Sequence, residues 1–170
     1  DNCCLICFGG ADPQNLRMKV LEELGNSKSN SFDHFHVVTG SAYRYFEDLT
    51  GFATNQKRIS VYQALSVEDL ALSMKKCSFA VCSPSTVVYE YMSVGGIVFL
   101  EQIAENQKDV KRFMIESGMA FPFEEICDVD EEAMHQSLRH QSEYFDGKSG
   151  ERYQKIFRQY FESKKLSIRK

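Results

Sequence analysis

The sequence has 170 residues, of which 43% are hydrophobic and 26% are charged, as is typical of one globular domain with a substantial core. Its formal net charge is −4, and RNP-like and zinc-finger motifs are absent, which argues against a nucleic-acid partner. No apolar stretch approaches the roughly 20 residues that a transmembrane helix needs, so we predict no transmembrane segment.

Short apolar runs alternate with segments of helical periodicity along the chain. The apolar runs, which we predict to be strands, are Cys3–Phe8, Phe35–Thr39, Ile59–Tyr62, Phe79–Cys82 and Ile97–Leu100. The segments with apolar residues at helical spacing are Leu16–Leu24, Val67–Lys76, Val87–Val94 and Asp109–Ser117. Most of the runs are apolar on both faces, as in strands that helices cover on each side. The alternation predicts an α/β fold, a Rossmann-like doubly wound parallel sheet formed by residues 1–170 as a single domain.

Two further segments complete the predicted architecture. The polar stretch Ser27–Ser31 is predicted to join the first helix to the second strand. After the stretch Met119–Phe123, the rest of the chain is predicted to be helical and charged. Within it, the segment Glu151–Lys165 carries an aromatic stripe, formed by Tyr153, Phe157, Tyr160 and Phe161. Such a stripe at helical spacing predicts a C-terminal helix that packs on the sheet.

The start of the sequence suggests a longer protein. The chain begins at Asp1, without a methionine, and enters the apolar run Cys3–Phe8 almost at once. Domains seldom begin with a buried strand that has no lead-in. We therefore expect the chain to be a fragment that lacks an N-terminal domain.

The six cysteines are predicted to be free thiols, although their number alone would also allow a disulfide framework. Cys3, Cys4 and Cys7 lie in one apolar run and Cys82 lies in another, as small buried hydrophobic residues do. Cys4 and Cys7 match C-x-x-C, but side chains at this spacing in a strand point to opposite faces. No second cysteine pair completes a zinc site, so we predict no metal ligand. We expect a reduced, cytoplasmic protein.

The first unusual loop, Phe8–Asn15, follows the first predicted strand. In doubly wound sheets the ligand lies beyond the carboxyl ends of the strands, at the topological switch point. Gly9 and Gly10 permit positive φ and a close approach of another group to the backbone, although a tight turn alone would also require glycine. Asp12 and Pro13 suit the N-cap and first position of the next helix. The loop is neither a Rossmann fingerprint nor a P-loop.

The second loop follows the fourth predicted strand. Pro84 biases Ser83 away from the α region, so the next helix must begin after it. Ser85 and Thr86 then lie at a helix N-terminus, where free N–H groups bind anions such as a diphosphate. Glu90 lies one turn further on the same face, where its carboxylate can accept hydrogen bonds from two ribose hydroxyls. The alternative is simple helix capping with a glutamate that the helix dipole favours.

The third loop, Glu101–Asp109, follows the fifth predicted strand. Asn106 and Gln107 offer amide donors and acceptors that suit sugar hydroxyls. A polar loop that caps the next helix is the alternative interpretation.

Together the three loops resemble a known family of enzymes. The sequences FGGADPQN (Phe8–Asn15), SPSTVVYE (Ser83–Glu90) and ENQ (Glu105–Gln107) resemble the C-terminal domain of the UDP-sugar hydrolase of pseudaminic acid biosynthesis. The relatives of that enzyme include the spore-coat polysaccharide biosynthesis proteins and the N-acetylglucosaminyltransferase of peptidoglycan synthesis. All have the GT-B architecture, in which a nucleotide-sugar lies between two Rossmann-like domains. The resemblance extends from Cys3 to about Phe121.

The resemblance implies roles for the first two loops. Gly9 and Gly10 would lie close to the phosphates or the sugar in the cleft between the domains. Ser85 and Thr86 would bind the diphosphate, with Ser83 beside them among the substrate-binding residues.

The resemblance also implies how the rest of a UDP-sugar is held. Glu90 would bind the ribose hydroxyls, and Asn106 and Gln107 would face the sugar. The loop around Tyr62–Leu65 would hold the uracil, mainly through backbone groups. Neither a cofactor nor a metal is implied.

Two departures from the family pattern concern the acceptor and the leaving sugar more than the nucleotide. Many relatives have glycine within the serine/threonine stretch, where this chain has Pro84 and Ser85. The transferase relatives have His-Gln where this chain has Asn106 and Gln107, which favours the hydrolase-like branch.

The catalytic base of the family belongs to the N-terminal domain, which this chain lacks. The four histidines lie outside the three loops, so no catalytic residue is predicted; they are His34, His36, His135 and His140. We expect the UDP-sugar-binding half of a glycosyltransferase or nucleotide-sugar hydrolase that acts in surface polysaccharide or nonulosonic acid biosynthesis. A non-catalytic α/β interaction module that has lost the ligand is the alternative.

Overall fold

A parallel β-sheet forms the centre of the protein. The computed structural model describes residues 2–26 and 32–167, with the side chains of residues 26 and 163–167 left out, so the predicted connection Ser27–Ser31 lies outside the described residues. Within them the sheet has six strands in the order β3-β2-β1-β4-β5-β6. The strands are β1 (Cys3–Cys7), β2 (His34–Thr39), β3 (Ile59–Gln63), β4 (Phe79–Cys82), β5 (Ile97–Leu100) and β6 (Phe121–Pro122).

Helices cover both faces of the sheet and enclose two separate cores. The helices are α1 (Leu16–Asn26), α2 (Phe46–Thr54), α3 (Val67–Lys76), α4 (Thr86–Val94), α5 (Lys108–Glu116), α6 (Glu131–Tyr144) and α7 (Ser149–Ser167). Short 3₁₀ helices span Glu105–Gln107 and Phe123–Glu125. Apolar side chains of α3, α4 and α5 pack on one face, and those of α1 and α2 pack on the other.

The predicted doubly wound, Rossmann-like sheet is confirmed. Each strand pair is parallel, and β1 and β4 are neighbours in the middle of the sheet. From β1 the chain proceeds outward through β2 to β3, and from β4 it proceeds outward on the other side, through β5 to β6. Cys4 and Cys7 lie in different cores, as expected for side chains on opposite faces of one strand. The switch point between β1 and β4 is where a ligand is expected in such a sheet.

Two elements were absent from the predictions. Helix α2 was missed because Thr50, Gly51 and Thr54 are weak helix formers, and the buried Leu49 does not make a helical pattern by itself. Strand β6 has two residues, Phe121 and Pro122, which is too short for a recognisable alternation.

The prediction that the C-terminal helix packs on the sheet is wrong. The apolar side chains along α7 are between 52% and 63% exposed, and they are Tyr153, Ile156, Phe157, Tyr160 and Phe161. The reason is that the preceding helices already cover both faces of the sheet, so α7 does not pack on the sheet itself.

Within residues 2–26 and 32–167, every helix is too short or too polar to cross a lipid bilayer.

Candidate functional site

A cavity of about 440 Å³ opens at the carboxyl edge of the sheet, where the loops after four strands meet. It is lined by Cys7, Gly9, Gly10, Val38, Thr39, Gly40, Ala64, Leu65, Leu70, Ser85, Thr86, Val87 and Glu90. Five of the predicted site residues, which come from two separate loops, therefore share one cavity at the predicted edge of the sheet. A volume of this size lies within the range of small-molecule sites.

The N-terminus of α4 faces this cavity without a side-chain cap. Ser85 occupies the cap position, but its hydroxyl accepts no bond from the first turn and instead contacts Ser83 Oγ at 2.9 Å. By contrast, the side chain of Ser66 caps α3 by accepting a hydrogen bond from the N–H of Asp69, and the side chain of Asp130 caps α6 by accepting one from the N–H of Ala133. Because the first N–H groups of a helix have no partner within it, the terminus of α4 can bind an anion. The capping interpretation of Ser85 is thus not what the structure shows.

Glu90 brings a negative charge to the same cavity. It lies one turn into α4, and its side chain is exposed. Among the described residues, the Glu90 carboxylate has no hydrogen-bond or ion-pair partner. Its two oxygens are therefore free to accept hydrogen bonds from a ligand.

Cys7 lines the cavity, and its surroundings disfavour the thiolate. Burial raises the pKa of Cys7 above its ordinary value, and the nearby charge of Glu90 acts in the same direction. A backbone hydrogen bond and Arg17 oppose that rise without reversing it.

The floor of the cavity is a close contact between two glycine-containing loops. Gly9, after β1, has a φ of +73°, a conformation that favours glycine. Gly40, after β2, lies against Gly10 so closely that a Cβ on Gly40 would be 2.6 Å from Gly10 Cα. The sequence analysis did not include Gly40 in the site, although it follows a strand directly.

We expect Gly40→Ala to destabilise the protein by about 1–3 kcal/mol, as overpacking does, because the added methyl group meets backbone that must move. The matched control is Gly10→Ala, whose Cβ would have no heavy atom within 4 Å. Urea denaturation of both variants measures the difference. Equal stability of the two variants would contradict the close contact between these loops.

A buried ion pair supports both glycine-containing loops, and the sequence analysis did not identify it. Arg17 Nη1 lies 3.2 Å from Asp12 Oδ2, and both side chains are entirely buried. Arg17 Nε donates to the carbonyl of Val38 at 3.2 Å, and Nη2 donates to the carbonyl of Gly9. The guanidinium also lies 4.8 Å from the ring centroid of Tyr43. Arg17 thus connects the loop after β1 to the end of β2 through hydrogen bonds.

The first turn of α1 differs from its prediction. The helix begins at Leu16 rather than at Pro13. Asp12 still caps it, because its carboxylate accepts hydrogen bonds of 2.9 and 3.0 Å from the N–H groups of Leu16 and Arg17. Asp12 itself has a φ of +39°. Its carboxylate lies at the N-terminus of α1 and beside the Arg17 guanidinium. The role of Asp12 in the ion pair accounts for this displaced cap.

Four of the predicted site residues do not line the cavity. Tyr62 contributes instead to a smaller cleft beside His36, although Ala64 and Leu65 of the same loop do reach the cavity. Ser83 is buried behind Ser85.

The third loop lies outside the cavity as well. Asn106 is exposed, whereas Gln107 is buried and accepts a hydrogen bond of 3.0 Å from the N–H of Ile103. In this structure Gln107 shapes the loop, and a sugar contact by either amide remains a prediction.

Comparison with known protein sequences finds a relative that aligns with part of this chain. No protein-family model matches the chain. An uncharacterized protein of Methanocaldococcus jannaschii is 34% identical over 94 residues, which are 54% of this chain and 19% of that protein. The chain therefore spans about a fifth of the length of this relative.

Comparison with solved structures shows the same fold in larger proteins. A protein assigned as a UDP-N-acetylglucosamine 2-epimerase from Listeria monocytogenes matches with a TM-score of 0.63 and 17% identity, over 95% of this chain and 46% of that one. The glycosyltransferase SsfS6 of Streptomyces sp. SF2575, complexed with thymidine diphosphate, matches with a TM-score of 0.54 and 15% identity, over 83% of this chain and 36% of that one. At such identities the likeness shows the Rossmann-like fold of the chain.

Proposed function

We propose that this chain binds the nucleoside diphosphate of a UDP-sugar, as the C-terminal half of a GT-B enzyme. The observation that carries the proposal is the cavity at the switch point, where the uncapped N-terminus of α4 and the unpartnered carboxylate of Glu90 lie together. Helix-terminal N–H groups suit a diphosphate, and a carboxylate one turn away suits ribose hydroxyls. The loop sequences support the same ligand. So do the descriptions of the structural neighbours, one of which is assigned as a UDP-N-acetylglucosamine 2-epimerase and the other of which is a glycosyltransferase complexed with thymidine diphosphate.

The proposed binding mode follows from where each group lies. The diphosphate would contact Ser85, Thr86 and the first N–H groups of α4, over the floor formed by Gly9 and Gly10. The nucleoside would extend toward Ala64 and Leu65, which follow β3 and line the same cavity.

The proposed reaction breaks the bond between the sugar and the diphosphate. As the anomeric C–O bond breaks, negative charge develops on the diphosphate, and fixed N–H dipoles at the start of α4 would stabilise it. Hydrolysis and transfer share this step and differ only in whether water or an acceptor hydroxyl attacks. A place in surface polysaccharide or nonulosonic acid biosynthesis is proposed on the resemblance of the three loops alone.

We further propose that a second domain of the same protein supplies the catalytic base. Two findings support this. The chain spans 46% and 36% of the structural neighbours, so each of them contains a further part of similar or larger size. The exposed apolar stripe of α7 is also a surface that a single domain rarely leaves uncovered.

Isothermal titration calorimetry with UDP, UMP and thymidine diphosphate tests the binding proposal. We expect UDP to bind, and UMP to bind about tenfold more weakly or worse, because the loss of one charge-assisted hydrogen bond corresponds to about 1.5–3 kcal/mol. Weaker binding of thymidine diphosphate than of UDP would reflect the missing 2′-hydroxyl and the altered base. If the chain is folded by circular dichroism and gives no heat with millimolar UDP, the proposal is wrong, and the non-catalytic interaction module takes its place.

A further inference from the structure

Three potential metal ligands from distant parts of the sequence meet on one face of the sheet. Cys3 is the first residue of β1, His36 lies in β2, and Cys77 follows the last residue of α3. One donor atom from each of these residues lies within 4.8 Å of the other two. Both cysteines are buried, and His36 is half-buried. None of the three lines the candidate nucleotide cavity, so this cluster is independent of the proposed function.

The donor set matches a soft or borderline metal ion. Two thiolates and one imidazole are ligands that zinc prefers, and three protein ligands leave a fourth position for water or another donor. The two sulfur atoms lie 2.7 Å apart. Zinc–sulfur bonds of about 2.3 Å in a tetrahedron place two sulfurs about 3.8 Å apart, so binding requires the thiols to separate by about 1 Å.

Both cysteines must lose a proton when they coordinate a metal ion, because the thiolate is the form of cysteine that binds metals. Metal binding at this site therefore releases the thiol protons.

A hydrogen bond orients the imidazole. Ser73 Oγ lies 2.9 Å from His36 Nδ1. A hydroxyl that holds the ring in this way resembles the outer-shell partners of metal-bound histidines.

We propose that Cys3, His36 and Cys77 bind one zinc ion, at a site separate from the nucleotide cavity. The ion would join the start of β1 to β2 and to the end of α3. The sequence predicted no metal ligand because a sequence-level zinc signature consists of cysteine pairs at short spacing. In this cluster the ligands are separated by tens of residues, and parallel strand pairing brings them together.

Titration of the fully reduced chain with Co²⁺ under anaerobic conditions tests this site. We expect one equivalent of Co²⁺ to produce thiolate-to-metal charge transfer in the near ultraviolet and the visible bands of tetrahedral coordination, and Zn²⁺ to displace it. Cys77→Ala should weaken binding by more than about 100-fold, beyond the loss typical of an outer-shell change. His36→Gln, at a half-exposed side chain, repeats the test if Cys77→Ala does not fold.

The matched control is Cys4→Ala, which removes a buried thiol from the opposite face of the same strand. It should leave the Co²⁺ spectrum and the stoichiometry unchanged. The proposal is overturned if the reduced wild-type chain shows no thiolate band, or if the band survives in both Cys77→Ala and His36→Gln. Mass spectrometry that finds Cys3 joined to Cys77 in a chain that takes up no metal after reduction would also overturn it, in favour of a redox pair.

Discussion

Replacing Arg17 by methionine is expected to destabilise the protein by about 3–5 kcal/mol, as happens when one partner of a buried ion pair is removed. Arg17 and Asp12 are 3.2 Å apart, and neither side chain is exposed. Methionine retains the apolar stem but leaves the Asp12 carboxylate without its counter-charge. It also leaves the carbonyls of Val38 and Gly9 without the donors that now reach them. Equilibrium denaturation in urea measures the loss.

Two comparisons make this prediction specific. Arg112→Met removes an exposed ion pair with Asp109, whose side chains are 61% and 84% exposed, so it should cost less than about 1 kcal/mol. Adding Asp12→Asn to Arg17→Met should restore part of the stability, because the uncompensated buried charge is then gone. If Arg17→Met costs no more than Arg112→Met, the buried ion pair does not support the two loops as argued.

Glu90→Gln is expected to lower the affinity for UDP by about one to two orders of magnitude. If Glu90 accepts hydrogen bonds from both ribose hydroxyls, glutamine leaves one acceptor and turns the other into a donor. Each charge-assisted hydrogen bond contributes about 1.5–3 kcal/mol, and 1.4 kcal/mol corresponds to a tenfold change in affinity. Calorimetric titration of the wild type and the variant with UDP measures this change.

The ribose preference separates binding from helix capping. Deoxyuridine diphosphate should bind the wild type more weakly than UDP does, and Glu90→Gln should discriminate much less between the two. Without ligand, the variant should lose at most about 1 kcal/mol of stability through the helix dipole. Glu68→Gln, at an exposed glutamate in the first turn of α3, is the matched control and should leave binding unchanged. Unchanged affinity and unchanged ribose preference in Glu90→Gln would mean that Glu90 does not bind the ribose.

Much of the fold could be predicted because its signals are local. Five of the six strands coincide with predicted runs of mainly apolar residues, and the alternation of these runs with helical segments indicates a parallel, doubly wound sheet. The two elements that were missed, α2 and β6, have weak local signals, since one contains poor helix formers and the other has two residues.

Part of the candidate site could be predicted for the same reason. Gly9, Gly10, Ser85 and Thr86 lie just after strands, and Glu90 lies one turn into the helix that follows β4. The carboxyl ends of parallel strands meet at one edge of the sheet, so these residues could be expected to lie together. Whether a loop residue faces that cavity depends on the path of the loop. Asn106 lies away from the cavity for this reason.

The sequence by itself determined the strand and helix pattern, the class of sheet and the loops that carry the candidate site, because each follows from residues that are neighbours along the chain. Only the tertiary structure revealed the contact of Gly40 with Gly10, the ion pair beneath it and the meeting of Cys3 with Cys77. The tertiary structure also shows that the apolar stripe of α7 is exposed, although the periodicity of the stripe predicted packing on the sheet. These features depend on distances between residues from separate strands and helices, and a pattern of side-chain types along one chain does not encode those distances.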